Sequence, residues 1–271
     1  MEKEPCRLPA TICSRLNIIY MQEFKDKIVL VTGAASGIGE ATSRLFAEQG
    51  AIVVLTDVNE ATGNVLAEDL RAHHPDISFM ELDVSNPADC EKVMRSIITR
   101  FGRLDIAFNN AGISGENHEL DQMSIEGWNK VINVNLNSVF YCMKYELAQM
   151  VKQGSGAIIN MASILGKVGF ANAGAYVAAK HGVVGLTETA AIEYSGRGIR
   201  INSVGPGFID TPLLTEGGID NAQKKILAGL HPVGRLGRSG EVAELVAWLA
   251  SDKASFVTGA YIPVDGGYLC R

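Results

Sequence analysis

Ile28-Val29-Leu30-Val31-Thr32-Gly33-Ala34-Ala35-Ser36-Gly37-Ile38-Gly39 sets a short, wholly apolar run against a glycine-rich turn. The run has the composition of a strand buried on both faces of a parallel sheet, where no alternation with polar residues is needed. Glu40 to Gln49 follows as a helical stretch ended by Gly50, so the order is strand, turn, helix. Glycines let the backbone approach a pyrophosphate closely, and the free N–H groups of the helix N-terminus offer it donors and positive potential. The spacing is Gly-x-x-x-Gly-x-Gly, which departs from the G-x-G-x-x-G dinucleotide pattern. Taken alone, the stretch is either a phosphate site or a tight structural turn.

The same alternation continues along the chain. Ile52 to Thr56 reads as a second buried strand, with Asp57 at its carboxyl end and 18 residues beyond Gly39. A carboxylate roughly 20 residues past the glycines receives the adenosine ribose hydroxyls of a dinucleotide and repels the extra phosphate of NADP. Ala34, Ala35 and Val58 supply no cation for that phosphate, so Asp57 points to NAD. The alternative is a strand-end cap or turn residue. Asn59 to His73 reads as a helix, and Ile77 to Leu82 as a strand ending at Asp83-Val84. Ser85-Asn86-Pro87 is a helix start with proline in the first turn, the helix running to Arg100. Leu104 to Phe108 is a fourth strand, closed by Asn109-Asn110-Ala111-Gly112. A helical region from about Ser124 to Lys152 carries Asn133, Asn135 and Asn137, which are unfavourable there, so at least one is expected to have a compensating partner. Gly156 to Ala162 is strand five, ending at Ser163; Ala173 to Tyr194 is a helix rich in small residues. Ile199 to Val204 is strand six, broken by Gly205-Pro206-Gly207. Phe208 to Pro232 reads as a lid with a short helix around Ala222 to Ala228, and Glu241 to Ala250 as a helix. Tyr261 to Val264 is a seventh strand whose Pro263 suits a sheet edge. Strands and helices in this order predict a doubly wound α/β Rossmann fold, a seven-stranded parallel sheet with helices on both faces.

With 271 residues and 47% hydrophobic content, the chain has the length and apolar content for one large α/β domain. A formal net charge of -6 and no basic block argue against a nucleic-acid partner held by phosphate contacts. The five cysteines are scattered without a C-x-x-C pair, which indicates neither a disulfide framework nor a zinc site and suits a reducing cytoplasm. No apolar run approaches the roughly 18 residues that cross a membrane. Residues 1–23 read as an N-terminal extension without the pattern of a signal peptide, and 24–271 as a single dinucleotide-binding and catalytic domain. His73, His74, His118 and His181 lack ligand spacing, so no metal is expected. Trp128 and Trp248 are expected in the core or at an interface.

Tyr176 and Lys180 lie four residues apart on the helix that begins near Ala173, and therefore share a face. A nearby cation favours phenolate, so Lys180 is expected to lower the Tyr176 pKa toward the working pH. On its own the pair is either an acid/base couple or two side chains snorkelling to solvent. Ser163 lies at the end of strand five, and Asn135 within the helical region that precedes that strand.

With these residues in place, the chain from about Phe24 to Gly267 resembles the classical short-chain dehydrogenase/reductase family. The matching pieces are Thr32-Gly33 with Ser36-Gly37-Ile38-Gly39, Asp57, Asp83-Val84, Asn109-Asn110-Ala111-Gly112, Asn135, Ser163, Tyr176 with Lys180, and Pro206-Gly207 with Thr211. The glycine spacing is the family's own form. The resemblance implies hydride transfer between nicotinamide and a secondary alcohol or ketone, with Tyr176 as general acid/base. It implies that Ser163 polarises the substrate oxygen, that Lys180 holds the nicotinamide ribose, and that Asn135 holds a water for proton relay. Gly33, Ser36, Gly37, Ile38 and Gly39 would cradle the phosphates, Asp83 and Val84 flank adenine, and Asn109, Ala111 and Gly112 the adenosine side. Pro206, Gly207, Ile209 and Thr211 would meet the carboxamide end, Thr211 having a helix cap before Pro212 as its alternative. Ile164, Leu165, Val168, Phe170, Phe208, Leu213 and Leu214 would line an apolar substrate pocket, with Glu116 or Asn172 adding a polar contact. That pocket favours a small hydrophobic alcohol or ketone, cyclic or aliphatic. The family pattern also implies a homotetramer. Two other readings are an idle NAD-binding sensor of the same fold and an epimerase or dehydratase of the extended type; the intact Asn135, Ser163, Tyr176 and Lys180 set speaks against the first, and the lack of a large extra C-terminal region against the second.

Overall fold

The apolar residues Ile28–Thr32 form β1 near the centre of a seven-stranded sheet whose order is β3-β2-β1-β4-β5-β6-β7. The structure is a computed structural model and describes residues 22–216 and 218–271; the expected extension therefore falls almost wholly outside the described residues. The other strands are β2 (Ile52–Asp57), β3 (Ser78–Glu81), β4 (Ile106–Asn109), β5 (Gly156–Met161), β6 (Ile199–Pro206) and β7 (Tyr261–Val264). All neighbouring strands pair in parallel. The helices are α1 (Gly37–Glu48), α2 (Glu60–Leu70), α3 (Pro87–Phe101), α4 (Ile125–Ile132), α5 (Ser138–Gln153), α6 (Gly174–Tyr194), α7 (Pro212–Glu216), α8 (Asn221–Gly229) and α9 (Ser239–Ala250).

Side chains alternate across a strand, and this divides the core into two layers. Val29 and Val31 pack with Phe46, Leu66 and Val246 on one face, under α1, α2 and α9. Ile28 and Leu30 pack with Val93, Met143 and Val183 on the other, under α3, α5 and α6. Phe24 is buried edge-on to Phe46, with ring centroids 4.9 Å apart. Helix ends follow local chemistry. The Asn86 side chain caps α3 by accepting from the Ala88 N–H, Pro87 takes the first turn, and Gly102 at φ 73° ends the helix in the left-handed region.

Three expectations change. The expected Ser124 to Lys152 helix is α4 and α5 joined by a π-helical turn, Asn133–Asn137, and Asn135 within it is fully buried. Strand β6 runs through Gly205 and Pro206, which pair with Pro263 and Val264 of the edge strand β7. Proline is tolerated at an edge because it has no N–H to give to a further neighbour. The expectation for Trp128 and Trp248 narrows from core or interface to interface, since both belong to neither core layer and are 37% and 40% exposed.

Strand order reverses between β1 and β4, and in doubly wound sheets a crevice opens at the carboxyl ends there. Gly39, in the first turn of α1, must pack against the turn that precedes it. A Cβ at Gly39 would lie 2.0 Å from the Gly33 carbonyl oxygen and 2.8 Å from Asn110 Nδ2. Alanine is normally the better helix former by about 1 kcal/mol. Gly39→Ala is nonetheless expected to lower stability by about 1–3 kcal/mol, the cost of overpacking a tight contact; an unchanged urea midpoint would contradict the close packing.

Candidate active site

A cleft of about 570 Å³ opens along the carboxyl edge of β1, β2, β4, β5 and β6, a size usual for small-molecule sites. At one end it is lined by Gly33, Ser36, Gly37, Ile38, Asp57, Asp83 and Val84; at the other by Ser163, Tyr176, Lys180 and the lid segment. Ala111, Gly112, Pro206, Gly207, Ile209 and Thr211 lie between.

The half of the cleft around the glycine turn is built from backbone. Gly33 and Gly37 adopt φ 62° and 57°, conformations that favour glycine, so the turn can present N–H groups rather than side chains. Thr32 Oγ1 accepts from the N–H groups of Asn110 (3.0 Å) and Ala111 (3.1 Å), and Asn110 Nδ2 donates back to the carbonyls of Thr32 and Gly33. This knot fixes the β4 loop against the glycine turn. Asn110 is the residue of that loop which sequence reasoning passed over; its neighbour Asn109 was assigned instead. The geometry corrects that assignment, because the Asn109 side chain turns into the core, where it donates to Glu146 and Asn160. Gly39 likewise does not line the cleft and acts through the contact with Gly33. Asp57 sits at the end of β2 as a turn residue and also faces the cleft. Its carboxylate accepts from the N–H groups of Ala35 and Asn59, both at 3.0 Å, and it lines the cleft. A glycine cradle, a helix N-terminus and a carboxylate at the second strand's end fit the adenosine and pyrophosphate of a dinucleotide.

At the other end α6 carries Tyr176 and Lys180 on one face, the ammonium 5.4 Å from the centre of the phenol ring. Lys180 is 2% exposed, and its Nζ donates to the Met161 carbonyl at the end of β5 over 2.7 Å. Burial holds its pKa down at about 8. Packing around the phenol raises the Tyr176 pKa above the ordinary tyrosine value, with the Ser163 side chain pulling the other way. This reverses the expected lowering by Lys180. The same burial that disfavours phenolate also disfavours the ammonium, so the cation is weakened where it was to help. The environment of Tyr176 therefore favours the neutral phenol.

Ser163 is held by its backbone on two sides: its carbonyl accepts from the Gly166 N–H at 2.8 Å and from the Tyr261 hydroxyl at 2.9 Å. Tyr261 was not among the residues the sequence singled out. A Cβ at Gly205 would lie 2.0 Å from that hydroxyl, so the missing side chain one strand over is what lets Tyr261 reach Ser163. Asn135 does not line the cleft. Its Oδ1 accepts from the Ile113 N–H and its Nδ2 donates to the Ile113 carbonyl, both at 2.8 Å, which is the expected compensation for an asparagine within a helix. The side-chain amide thus ties the β4 loop to the π-helical turn. Of the expected apolar lining, Ile164, Leu165, Phe170, Phe208, Leu213 and Leu214 face the cleft and Val168 does not. Asn172, at φ 64°, and Glu116 both line the cleft, and the Glu116 carboxylate also accepts from the Ser124 hydroxyl and N–H at the start of α4, which lower its pKa. Among the described residues no group of three or more His, Cys, Asp or Glu is placed to hold a metal, and no helix is long and apolar enough to cross a membrane.

Comparison with known proteins agrees with this geometry. The family model described as enoyl-(acyl carrier protein) reductase matches residues 33–269. Cyclohexanol dehydrogenase of Acinetobacter sp. (strain SE19) is 47% identical over 253 residues, 93% of this chain and 99% of that one. Cis-4-hydroxycyclohexanecarboxylate dehydrogenase of Sinomonas cyclohexanicum is 45% identical over 247 residues, 91% of this chain and 98% of that one. The crystal structure of levodione reductase superposes with a TM-score of 0.86 at 38% identity, covering 90% of this chain and 98% of that one. The chain belongs to the short-chain dehydrogenase/reductase family and is an oxidoreductase. Members of that family use nicotinamide cofactors.

Beneath the site runs a buried polar chain. Asn109 Nδ2 donates to Glu146 Oε2 and to Asn160 Oδ1, both at 3.0 Å; Asn160 Nδ2 donates to Thr187 Oγ1, and Thr187 donates to the Val183 carbonyl. It ties β4, β5, α5 and α6 together one residue before Met161. Glu146 is fully buried, and burial pushes its carboxyl up to about 8. The folded protein keeps a proton that the unfolded chain loses above about 4.5. Stability from this group is therefore full below about 4.5, declines as pH rises toward about 8 and is level beyond. Glu146→Gln is expected to remove this decline, so that its unfolding free energy relative to wild type grows by up to about 1.4 kcal/mol per pH unit from pH about 5 to about 8. Parallel pH profiles in denaturant titrations would show that Glu146 is ionised in the fold.

Proposed function

We propose that the protein is an NAD(H)-dependent dehydrogenase or reductase of small apolar secondary alcohols and ketones, with ring compounds as its first substrates. The observation that carries this reading is the convergence of Ser163, Tyr176 and Lys180 at the apolar end of a cleft whose other end carries Asp57 and the glycine turn. Cyclohexanol, cis-4-hydroxycyclohexanecarboxylate and levodione in the names of the relatives support a ring substrate.

When bound, the nicotinamide supplies or accepts the hydride. Tyr176 Oη gives a proton to the oxygen of a ketone, or takes one from an alcohol. Its neutral form in the folded protein suits the first direction, and a positive charge brought beside it favours the second. Ser163 Oγ hydrogen-bonds the same oxygen and stabilises the charge that develops there. Lys180, anchored by Met161, offers its remaining N–H donors to the ribose hydroxyls and supplies the positive potential next to the phenol. Asn135 serves as a positioning residue for this end of the cleft, through Ile113. Asp57 receives the adenosine ribose hydroxyls, and among the described residues no lysine or arginine lines the cleft beside it to hold a 2′-phosphate. The protein acts in the cytoplasm as a tetramer joined through α4, α5 and α6.

Tyr176→Phe is expected to lower kcat for cyclohexanone reduction by about 10²–10⁴-fold, the usual worth of a positioned acid/base group, while NADH affinity by fluorescence titration stays within about twofold. Retained turnover would reject Tyr176 as the acid. Asp57→Asn is expected to raise the ratio of NADP to NAD kcat/KM by about tenfold or more, since one repelling charge is removed. A ratio unmoved in that variant would take the cofactor choice away from Asp57.

A further inference from the structure

We propose that His231 is a positioning residue for substrate selectivity: it clamps the main chain of Phe208 to the end of α8 and so fixes the aromatic wall against which a ring substrate is held. The inference rests on the reading of the site as one for ring alcohols and ketones.

His231 is 4% exposed and lies outside the reacting groups. Its Nε2 is 3.1 Å from the Phe208 N–H, and its Nδ1 is 2.9 Å from the Leu227 carbonyl in α8. A main-chain N–H can only donate and a carbonyl can only accept, so both bonds form together only with the lone pair on Nε2 and the proton on Nδ1. The imidazole is thus a neutral bridge between the lid helix and the pocket. The chain makes room for it at one place: a Cβ on Gly207 would lie 2.6 Å from Nε2. Phe208 is fixed on its other side as well, its carbonyl accepting from the Gly237 N–H at 2.9 Å.

The backbone so held aims the Phe208 ring. It meets Phe170 at 5.8 Å and 60°, Tyr268 at 6.0 Å and 71°, and the His231 ring itself at 5.8 Å and 89°. Edge-to-face pairs of this kind are attractive beyond the area they bury. Phe170 and Phe208 both line the cleft that holds Ser163 and Tyr176. A wall of fixed aromatic rings rewards a rigid ring that lies against it, whereas a flexible chain gains less because it must be ordered on binding. Without the clamp, the Phe208 N–H loses its partner and the wall is free to shift. The chemical groups stay where they are, so the loss falls on binding of the ring.

Wild type, His231→Phe and His231→Gln are compared on cyclohexanol and 2-butanol at saturating NAD. His231→Phe keeps a ring but neither hydrogen bond, and His231→Gln keeps an acceptor and a donor. In His231→Phe the KM for cyclohexanol is expected to rise about fivefold or more, with kcat within about twofold and a smaller change for 2-butanol; His231→Gln restores the selectivity. Amide hydrogen exchange on the substrate-free protein is expected to speed up together around Phe208 and at the C-terminal end of α8 in His231→Phe, and to return toward wild type in His231→Gln. An unchanged ring-to-chain selectivity, a loss confined to kcat, or unaltered exchange at Phe208 overturns the clamp. If wild type turns over neither alcohol, the assigned activity fails, while the exchange measurement still decides whether His231 holds Phe208.

Discussion

The site depends on backbone meeting backbone at the crevice between β1 and β4. Thr32 and Gly33 approach the Asn110-Ala111 loop so closely that no side chain fits at Gly33 without a shift: a Cβ there would lie 2.9 Å from the Ala111 Cα. Asn110 and Thr32 exchange hydrogen bonds across this contact and satisfy polar groups that the close approach would otherwise strand. Beside this contact lie the N-terminus of α1 and the carboxylate of Asp57, which the Ala35 and Asn59 N–H groups hold in place.

The opposite end is governed by desolvation. Tyr176 and Lys180 share a face of α6, yet the environment pushes the phenol up and the ammonium down, toward two neutral groups. A buried cation needs partners, and Lys180 has one in the Met161 carbonyl. The fold thus sets a neutral phenol beside a weakened cation, rather than supplying a preformed phenolate. Ser163 is supported from behind by Tyr261 and Gly166, and the β4 loop by Asn135, so the polar groups at the mouth of the cleft rest on buried hydrogen bonds from distant parts of the chain.

Strands and helices were legible because apolar runs and glycine breaks mark them, and Asn86-Pro87 or Ser124 mark where helices start. The boundaries that failed did so for tertiary reasons. Pro206 reads as a breaker, but an edge partner in β7 leaves it compatible with pairing. The choice between Asn109 and Asn110 turns on which of two adjacent side chains faces the cleft and which faces α5, and adjacent residues of a strand end always face opposite ways. Tyr261 reaches the Ser163 carbonyl and His231 reaches the Phe208 N–H from far away in sequence, and a contact of that kind leaves no spacing to read. Gly205 and Gly207 were the available signals, since each gives up a side chain where one of these rings must pass.

By itself the sequence determined the doubly wound sheet, the order of its elements and the residue types at the carboxyl edge, because hydrophobic periodicity and glycine placement act locally. Only the tertiary structure decided the protonation tendencies of Tyr176, Lys180 and Glu146, the turning of Asn109 into the core and the bracing of Phe208 and Ser163. Those depend on burial and on partners brought from elsewhere in the chain, and burial is a property of the packed whole.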